Sequence, residues 1–442
     1  MDAGAWNDAE GLSQRALQLM QQRRWADALE ELELALALDP YNAANLYHRG
    51  VVLDELGRPR DAIDDYERAD QIHPDHPDVL NRWALDMHQL GQTPEALQLF
   101  TSIEKRAPSY EPAYCNHVHL LVELNRHEEA EEIFYLARLH NEHCPRCYFT
   151  MGLSMAAQGK HEQAVRCLRR AMDLPGASAE VNRRLAESLV ALGDPDAARL
   201  HLRQSLSVDP NQPVALAMMV ELLIDVDVVG DAEKWLARLQ RVAPDGPVTH
   251  LLSGRLAMAQ QRYDSAQRSL ERAVQVDPTI GRAHLMLAEL YARQGNADLA
   301  RQQLHAELLL GPHSSAKLAV LARRLLALGD RTAAASCYRR LLEREPMRAA
   351  AWVNLGICEC ESGRLDVGID ALRQAITVNP KLVPAYHNLA LALADRGSWP
   401  AALTIVAQGL KQRPRAEELI QLRRRLWLRR VRRWVMTPFR RG

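Results

Sequence analysis

Prolines recur every 34 residues in this chain, at 40, 74 and 108 and again at 210, 244, 278, 312, 346, 380 and 414. A fixed period of this length marks a repeated supersecondary unit and weighs against a single globular core. Carried through the gap, the frame starts repeats at 9, 43, 77, 111, 145, 179, 213, 247, 281, 315, 349 and 383, with no insertion. Glu142 and Gly176 stand where two further prolines would fall.

Side-chain size obeys the same frame. The twentieth position is Ala in every repeat, from Ala28 to Ala402, except for Gly368. The eighth is Gly or Ala in ten of the twelve, with Val118 and Val220 the exceptions. The twenty-fourth is always large and apolar, from Leu32, Tyr66 and Phe100 to Val406. Small residues at two fixed points let two helices approach where bulk would hold them apart. Each repeat therefore predicts a helix–turn–helix. In the one beginning at 349, Trp352, Leu355 and Gly356 carry the first helix. Gly363 ends it as a left-handed cap, and Leu372 and Ala375 line the second helix. Turn glycines recur at 57, 91, 159, 193, 295, 329 and 397, but Asp227 and Gln261 replace them in repeats 7 and 8. Those two turns are the ones the sequence determines least.

The pattern resembles the tetratricopeptide repeat family, whose W-x2-L-G, A-x3-F and P signature is met at Trp352-x-x-Leu355-Gly356, Ala130-x-x-x-Phe134 and Pro346. The resemblance covers 9–416. It implies an all-α solenoid, a right-handed superhelix of twelve helix–turn–helix repeats whose first helices line a concave groove for partner proteins. Residues 1–8 form a lead-in, and 417–442 an Arg-rich amphipathic C-terminal helix and tail that caps the array. Two departures stand out: Glu359 replaces an apolar residue at the eleventh position, and Glu307 a small one at the twenty-seventh.

The resemblance also implies which positions face the groove: the second, fifth, sixth, ninth and thirteenth. The expected partner-binding residues are Tyr47, His48, Asn81, Arg82, Asn116 and His119 in the first part. Further on they are Glu187, Met218, Leu252, Arg255, Met286, Glu289 and Arg323. In repeats 6–10 Glu and Arg at the ninth position are flanked by apolar side chains. Two readings stay open there: a greasy groove for an amphipathic segment, or Glu and Arg pairing between adjacent helices. The Lys/Asn clamp by which some family members grip a chaperone's terminal carboxylate is not met, since its positions hold Ser13, Leu17, His48, Asp78 and Arg82.

Composition sets the remaining bounds. No apolar run approaches the roughly 20 residues that cross a bilayer, and residues 1–8 lack the pattern of a secretory signal. Seven scattered cysteines argue against a disulfide framework, so the expected location is cytoplasmic. Charge is unevenly spread. Residues 417–442 hold nine Arg against two Glu, a local charge of +7, while the other 416 hold 46 basic and 54 acidic groups. Glu417–Met436 reads as one helix, with Leu419, Ile420, Leu422, Leu426 and Trp427 covering repeat 12. Beyond it Arg429, Arg430, Arg432, Arg433 and Trp434 suit an anionic membrane surface, reached through 423–441. No groove-reading motif accompanies this charge, so no nucleic acid is expected.

Cys144-Pro145-Arg146-Cys147 is the one Cys-x2-Cys motif, with His140 and His143 before it and Cys115, His117 and His119 one repeat earlier. A structural metal needs four convergent ligands, and Cys144 and Cys147 supply half of such a set. They are read as incidental thiols, with no metal and no cofactor expected. None of the sixteen histidines has a recurring nucleophile beside it in the frame. The expected function is a protein-interaction scaffold or adaptor without enzymatic activity. The alternatives are a membrane-peripheral assembly factor held by the basic helix and, third, a zinc- or thiol-dependent enzyme at Cys144 and Cys147.

Overall fold

The computed structural model describes residues 3–140, 144–175, 179–311 and 313–436. Glu142, His143, Gly176 and Pro312 lie outside them. Among the described residues there are twenty-five helices and no strand. They lie in two compact units, Met1–Leu222 and Leu223–Gly442, each built of antiparallel hairpins of consecutive helices, with a terminal helix at the end of the second.

In the first unit hairpin 1 is Ala3–Gln21 and Trp25–Leu38, and hairpin 2 is Ala43–Glu55 and Pro59–Ile72. Hairpin 3 pairs Pro77–Gln89 with Thr93–Arg106, and hairpin 4 pairs Glu111–Glu123 with His127–His140. Hairpin 5 is Pro145–Ala157 and His161–Asp173, and hairpin 6 is Ala179–Ala191 and Pro195–Val208. The boundary falls inside Pro213–Asp225, the first helix of hairpin 7. In the second unit Val229–Val242 is followed by five further hairpins, whose first helices are Pro247–Ala259, Ala283–Arg293, Ser315–Ala327, Ala349–Glu361 and Val383–Asp395.

The size columns have a direct steric cause. A Cβ added to Gly50 would lie 2.5 Å from Tyr66, and one added to Gly356 would lie 2.5 Å from Leu372. The eighth position thus packs against the twenty-fourth of the same hairpin. A small residue there leaves room for the large side chain opposite in ten of the twelve repeats, Val118 and Val220 being the exceptions. All the Ala residues of the twentieth column are fully buried.

Turns between the paired helices need a left-handed residue, and Gly supplies it at φ 75° in Gly57 and 84° in Gly363. Four hairpins keep the same turn without glycine: Arg23, Asn125, Asp227 and Gln261 lie at φ 58°, 57°, 59° and 61°. The turns of hairpins 7 and 8, the least determined in the sequence, therefore match the rest. Helix starts are marked by Pro in the first turn, as at Pro59, Pro77, Pro145 and Pro247, where the missing N–H costs nothing.

The two off-pattern acids are wholly buried, and each meets cations. Glu359 lies between the guanidinium groups of Arg339 and Arg364, and Glu307 meets the ammonium of Lys317. Burying a carboxylate is tolerable only with such partners.

The terminal helix Glu417–Met436 closes the stack of the second unit. Leu419, Leu422 and Leu426 are buried against a cluster that includes Tyr386, Leu389, Ala402 and Val406. Leu419 fits the notch left by Gly409, where a Cβ would approach its Cδ1 to 2.7 Å. Ile420 is half-buried. Trp427, expected to join this cap, is instead 57% exposed, because its position falls on the outer side of the helix beside Arg423, Arg424 and Arg425.

Candidate functional site

In the first unit the first helices of hairpins 2 and 3 carry a dense polar surface. Tyr47 and His48 are half-buried neighbours with rings 5.2 Å apart. With Ala43, Ala44, His73, His76 and Val79 they line an open, mostly apolar cleft of about 410 Å³. Burial pushes the His48 imidazole below its usual range, so it is neutral at pH 7 and offers one donor and one acceptor. Arg82, half-buried, reaches Asp54 at 3.5 Å and bonds the Tyr47 hydroxyl. Tyr110 donates to Asp78 at 2.6 Å. Behind this surface Asp86 is buried. Burial, followed by repulsion from Asp54 and a hydrogen bond with it, pushes Asp86 up to about 7. The expected residues Tyr47, His48 and Arg82 are thus brought together.

Asn81 and Asn116 do not join them. Both are buried, and Asn116 Nδ2 donates to Asn81 Oδ1 at 2.9 Å. Their amides satisfy each other between stacked first helices and are not presented to a partner. His119 is exposed, 3.7 Å from Glu123, which also meets His88 at 3.3 Å.

Along hairpins 6 to 10 the charged residues are largely spoken for. In the first unit Glu187 is held by Arg183 and Arg184 of its own helix, at 2.5 and 3.2 Å, and Met218 is half-buried. In the second unit Arg255 pairs with Asp225 at 2.6 Å. Glu289 pairs with Arg293 and Arg324, both at 2.9 Å. Met286 packs half-buried against a core cluster, and Leu252 is only 2% exposed, a core side chain where a groove-lining one was expected. Arg323 is exposed, its Nε donating to Ala319 O at 3.3 Å.

Two further features stand out, the first not anticipated from the sequence and the second named there but read as incidental. Hairpins 4 and 5 frame an open cleft of about 390 Å³ lined by Phe134, Tyr135, Tyr148, Arg138, Arg166 and Arg170, among others. The Arg138 guanidinium sits 5.8 Å from the ring centres of Phe134 and Tyr148. An exposed Tyr135 beside a buried Phe134 was the available signal. The second feature is a third sulfur. Cys115, Cys144 and Cys147 are all buried, and their Sγ atoms lie within 4.8 Å of one another. Hydrogen bonds from the Cys115 and Cys147 thiols drive the Cys144 thiol down and push the other two up.

A family model described as a tetratricopeptide repeat matches residues 14–77, 149–213, 251–315 and 320–384, together more than half of the chain. The chain is a tetratricopeptide repeat protein. Further models of the same repeat match 189–256, 383–408 and 111–137. Similar solved structures include the APC/C hetero-tetramer Cut9–Hcn1, at 15% identity over 95% of this chain and 96% of that one, with a TM-score of 0.43. Yeast Tom70 matches at 16% identity over 96% of each chain, with a TM-score of 0.37. YrrB, a tetratricopeptide protein with an unusual peptide-binding site, matches at 18% identity over 44% of this chain and 97% of its own, with a TM-score of 0.39. As a tetratricopeptide repeat protein, the chain belongs to the class of protein-interaction scaffolds.

Among the described residues no helix of this tetratricopeptide chain is long and apolar enough to cross a membrane. The side chains of Arg429, Arg430, Arg432, Arg433 and Trp434 lie outside the described residues. On the preceding turns Trp427 and Leu428 are exposed.

Proposed function

We propose that this tetratricopeptide protein holds an extended or helical segment of a partner protein against the first helices of hairpins 2 and 3. The observation that carries this is an open apolar cleft lined by Tyr47 and His48, with Arg82 bonded to the Tyr47 hydroxyl and paired with Asp54. An apolar cleft with few oriented polar groups suits a side chain of a bound segment, with charged neighbours fixing its direction. The ion pairs of Arg255 and Glu289 favour the structural reading for hairpins 8 to 10, where the charges hold neighbouring helices together. Affinity capture with the full chain and its Tyr47→Ala/Arg82→Glu variant tests the proposal. Specific proteins retained by the wild type are lost by the variant. An identical set recovered by both removes the cleft from the reading.

A second reading is favoured by exposed Trp427 and Leu428 beside Arg423, Arg424 and Arg425. Aromatic and basic side chains on one amphipathic helix partition to an anionic interface. The full chain would then co-sediment with vesicles containing phosphatidylserine but not with phosphatidylcholine alone. A Trp427→Ser/Leu428→Ser variant, which spares the buried Leu419, Leu422 and Leu426, would bind less. Equal sedimentation with both vesicle types ends this reading.

A further inference from the structure

Three buried sulfurs meet where hairpins 4 and 5 stack. Cys115 lies on Glu111–Glu123, the first helix of hairpin 4, while Cys144 caps the first helix of hairpin 5 and Cys147 sits in its first turn. Cys115 Sγ is 2.9 Å from Cys144 Sγ, and all three sulfurs lie within 4.8 Å of one another. Zinc–thiolate bonds of about 2.3 Å place the sulfurs of a tetrahedral site about 3.8 Å apart. Adjustments within reach of side-chain rotation therefore convert this cluster into three corners of such a site.

The local backbone is arranged for it. The Cys147 N–H donates to Cys144 Sγ at 3.3 Å, as expected of a Cys-x2-Cys turn that presents both sulfurs to one ion. Cys144 and Cys147 also sit at a helix N-terminus, where free N–H groups and the helix dipole favour negative sulfur. Glu111 lies one turn before Cys115 on the same helix face, and its half-buried carboxyl contacts the Cys144 side chain. Turned toward the other two sulfurs as well, that carboxylate would supply the fourth donor. Two chelating pairs, Glu111-x3-Cys115 and Cys144-x2-Cys147, thus face each other across the hairpin junction.

We infer that Cys115, Cys144 and Cys147, with Glu111 as fourth ligand, bind a structural zinc ion that ties hairpin 4 to hairpin 5. Thiolate-rich tetrahedral donor sets select zinc over hard cations. Binding exchanges the three thiol protons for the ion, so affinity rises with pH. All four positions are taken by protein groups, which makes the site a clasp and leaves no corner for substrate.

The test uses the full chain purified under reducing conditions without a metal-affinity tag. Elemental analysis after dialysis gives about one zinc per chain, and cobalt exchanged into the site shows a thiolate-to-cobalt charge-transfer band. Cys144→Ser and Cys147→Ser abolish both signals, Cys167→Ser leaves them intact, and Glu111→Gln weakens metal affinity about tenfold or more. If a cysteine variant does not fold, chelation of the wild type decides: zinc removal lowers the melting temperature, and zinc added back restores it. A reduced wild-type chain that binds neither zinc nor cobalt overturns the inference. So does peptide mapping that finds a Cys115–Cys144 disulfide as the native state, which would make the cluster a redox pair.

Discussion

Asn116 donates its side-chain amide to the Asn81 carbonyl oxygen across 2.9 Å, joining first helices of neighbouring hairpins through residues 35 apart in sequence. The pair is buried, so each amide depends on the other for a partner that water cannot supply.

Removing one side of that pair costs more than removing both. Asn116→Leu leaves the Asn81 carbonyl without its donor and lowers stability by about 1–3 kcal/mol. Asn81→Leu/Asn116→Leu loses less than the sum of the single changes, because no polar group is left orphaned. Urea unfolding of the three variants checks this, and strict additivity contradicts it.

Asp86 makes the chain pH-sensitive. An unfolded Asp titrates near about 3.9, whereas in the fold burial and then Asp54 raise Asp86 to about 7. Between these values the folded chain keeps a proton that the unfolded chain has lost. This contribution to stability therefore falls as pH rises through that window and levels off above it. Asp86→Asn cannot ionise, so it melts higher than the wild type at pH 8, by up to about 4 kcal/mol in stability. At pH 4 the two melt alike. Melting curves at both pH values decide, and equal melting at pH 8 counts against a buried, raised Asp86.

Gln261 holds a left-handed conformation at φ 61° that costs a side chain about 1 kcal/mol or more. Gln261→Gly relieves that strain and raises stability by about 0.5–1 kcal/mol, net of the entropy glycine brings to the unfolded chain. Asn125→Gly gains less, since Asn tolerates this region. Differential scanning calorimetry ranks the two variants, and the reverse order contradicts the argument.

Gly368 breaks the alanine column, yet restoring Ala there destabilises. A Cβ at this position would run into Cys360 Sγ and approach the Gly356 carbonyl oxygen to 2.8 Å. Gly368→Ala costs about 1–3 kcal/mol of overpacking, and adding Cys360→Ala recovers part of it. Thermal unfolding of the single and double variants measures both effects.

The fold was legible because its main constraint is volume at fixed intervals, and volume is written in residue identity. Gly50 opposite Tyr66 and Gly356 opposite Leu372 show why the columns keep their register. The left-handed turns were legible only where glycine marks them; Arg23 and Gln261 adopt the same geometry because the helices on either side impose it. Partner-facing residues were harder. The fifth and sixth positions hold both kinds: Asn81, Asn116 and Leu252 are buried, while Tyr47, His48 and Arg82 in the same register are half-buried, so repeat position alone does not decide accessibility. Cys115 was named beside Cys144 and Cys147, but whether the three sulfurs converge could not be read from spacing, for a related reason. Cys115 precedes Cys144 by 29 residues, and only the stacking of consecutive hairpins brings them into contact.

Leu419 in the notch at Gly409 carries a consequence for how such an array can evolve. Unequal recombination readily copies a 34-residue block, but a block added here meets a surface whose seat is already taken. Lengthening at this end would require evicting the final helix from its seat on the last hairpin.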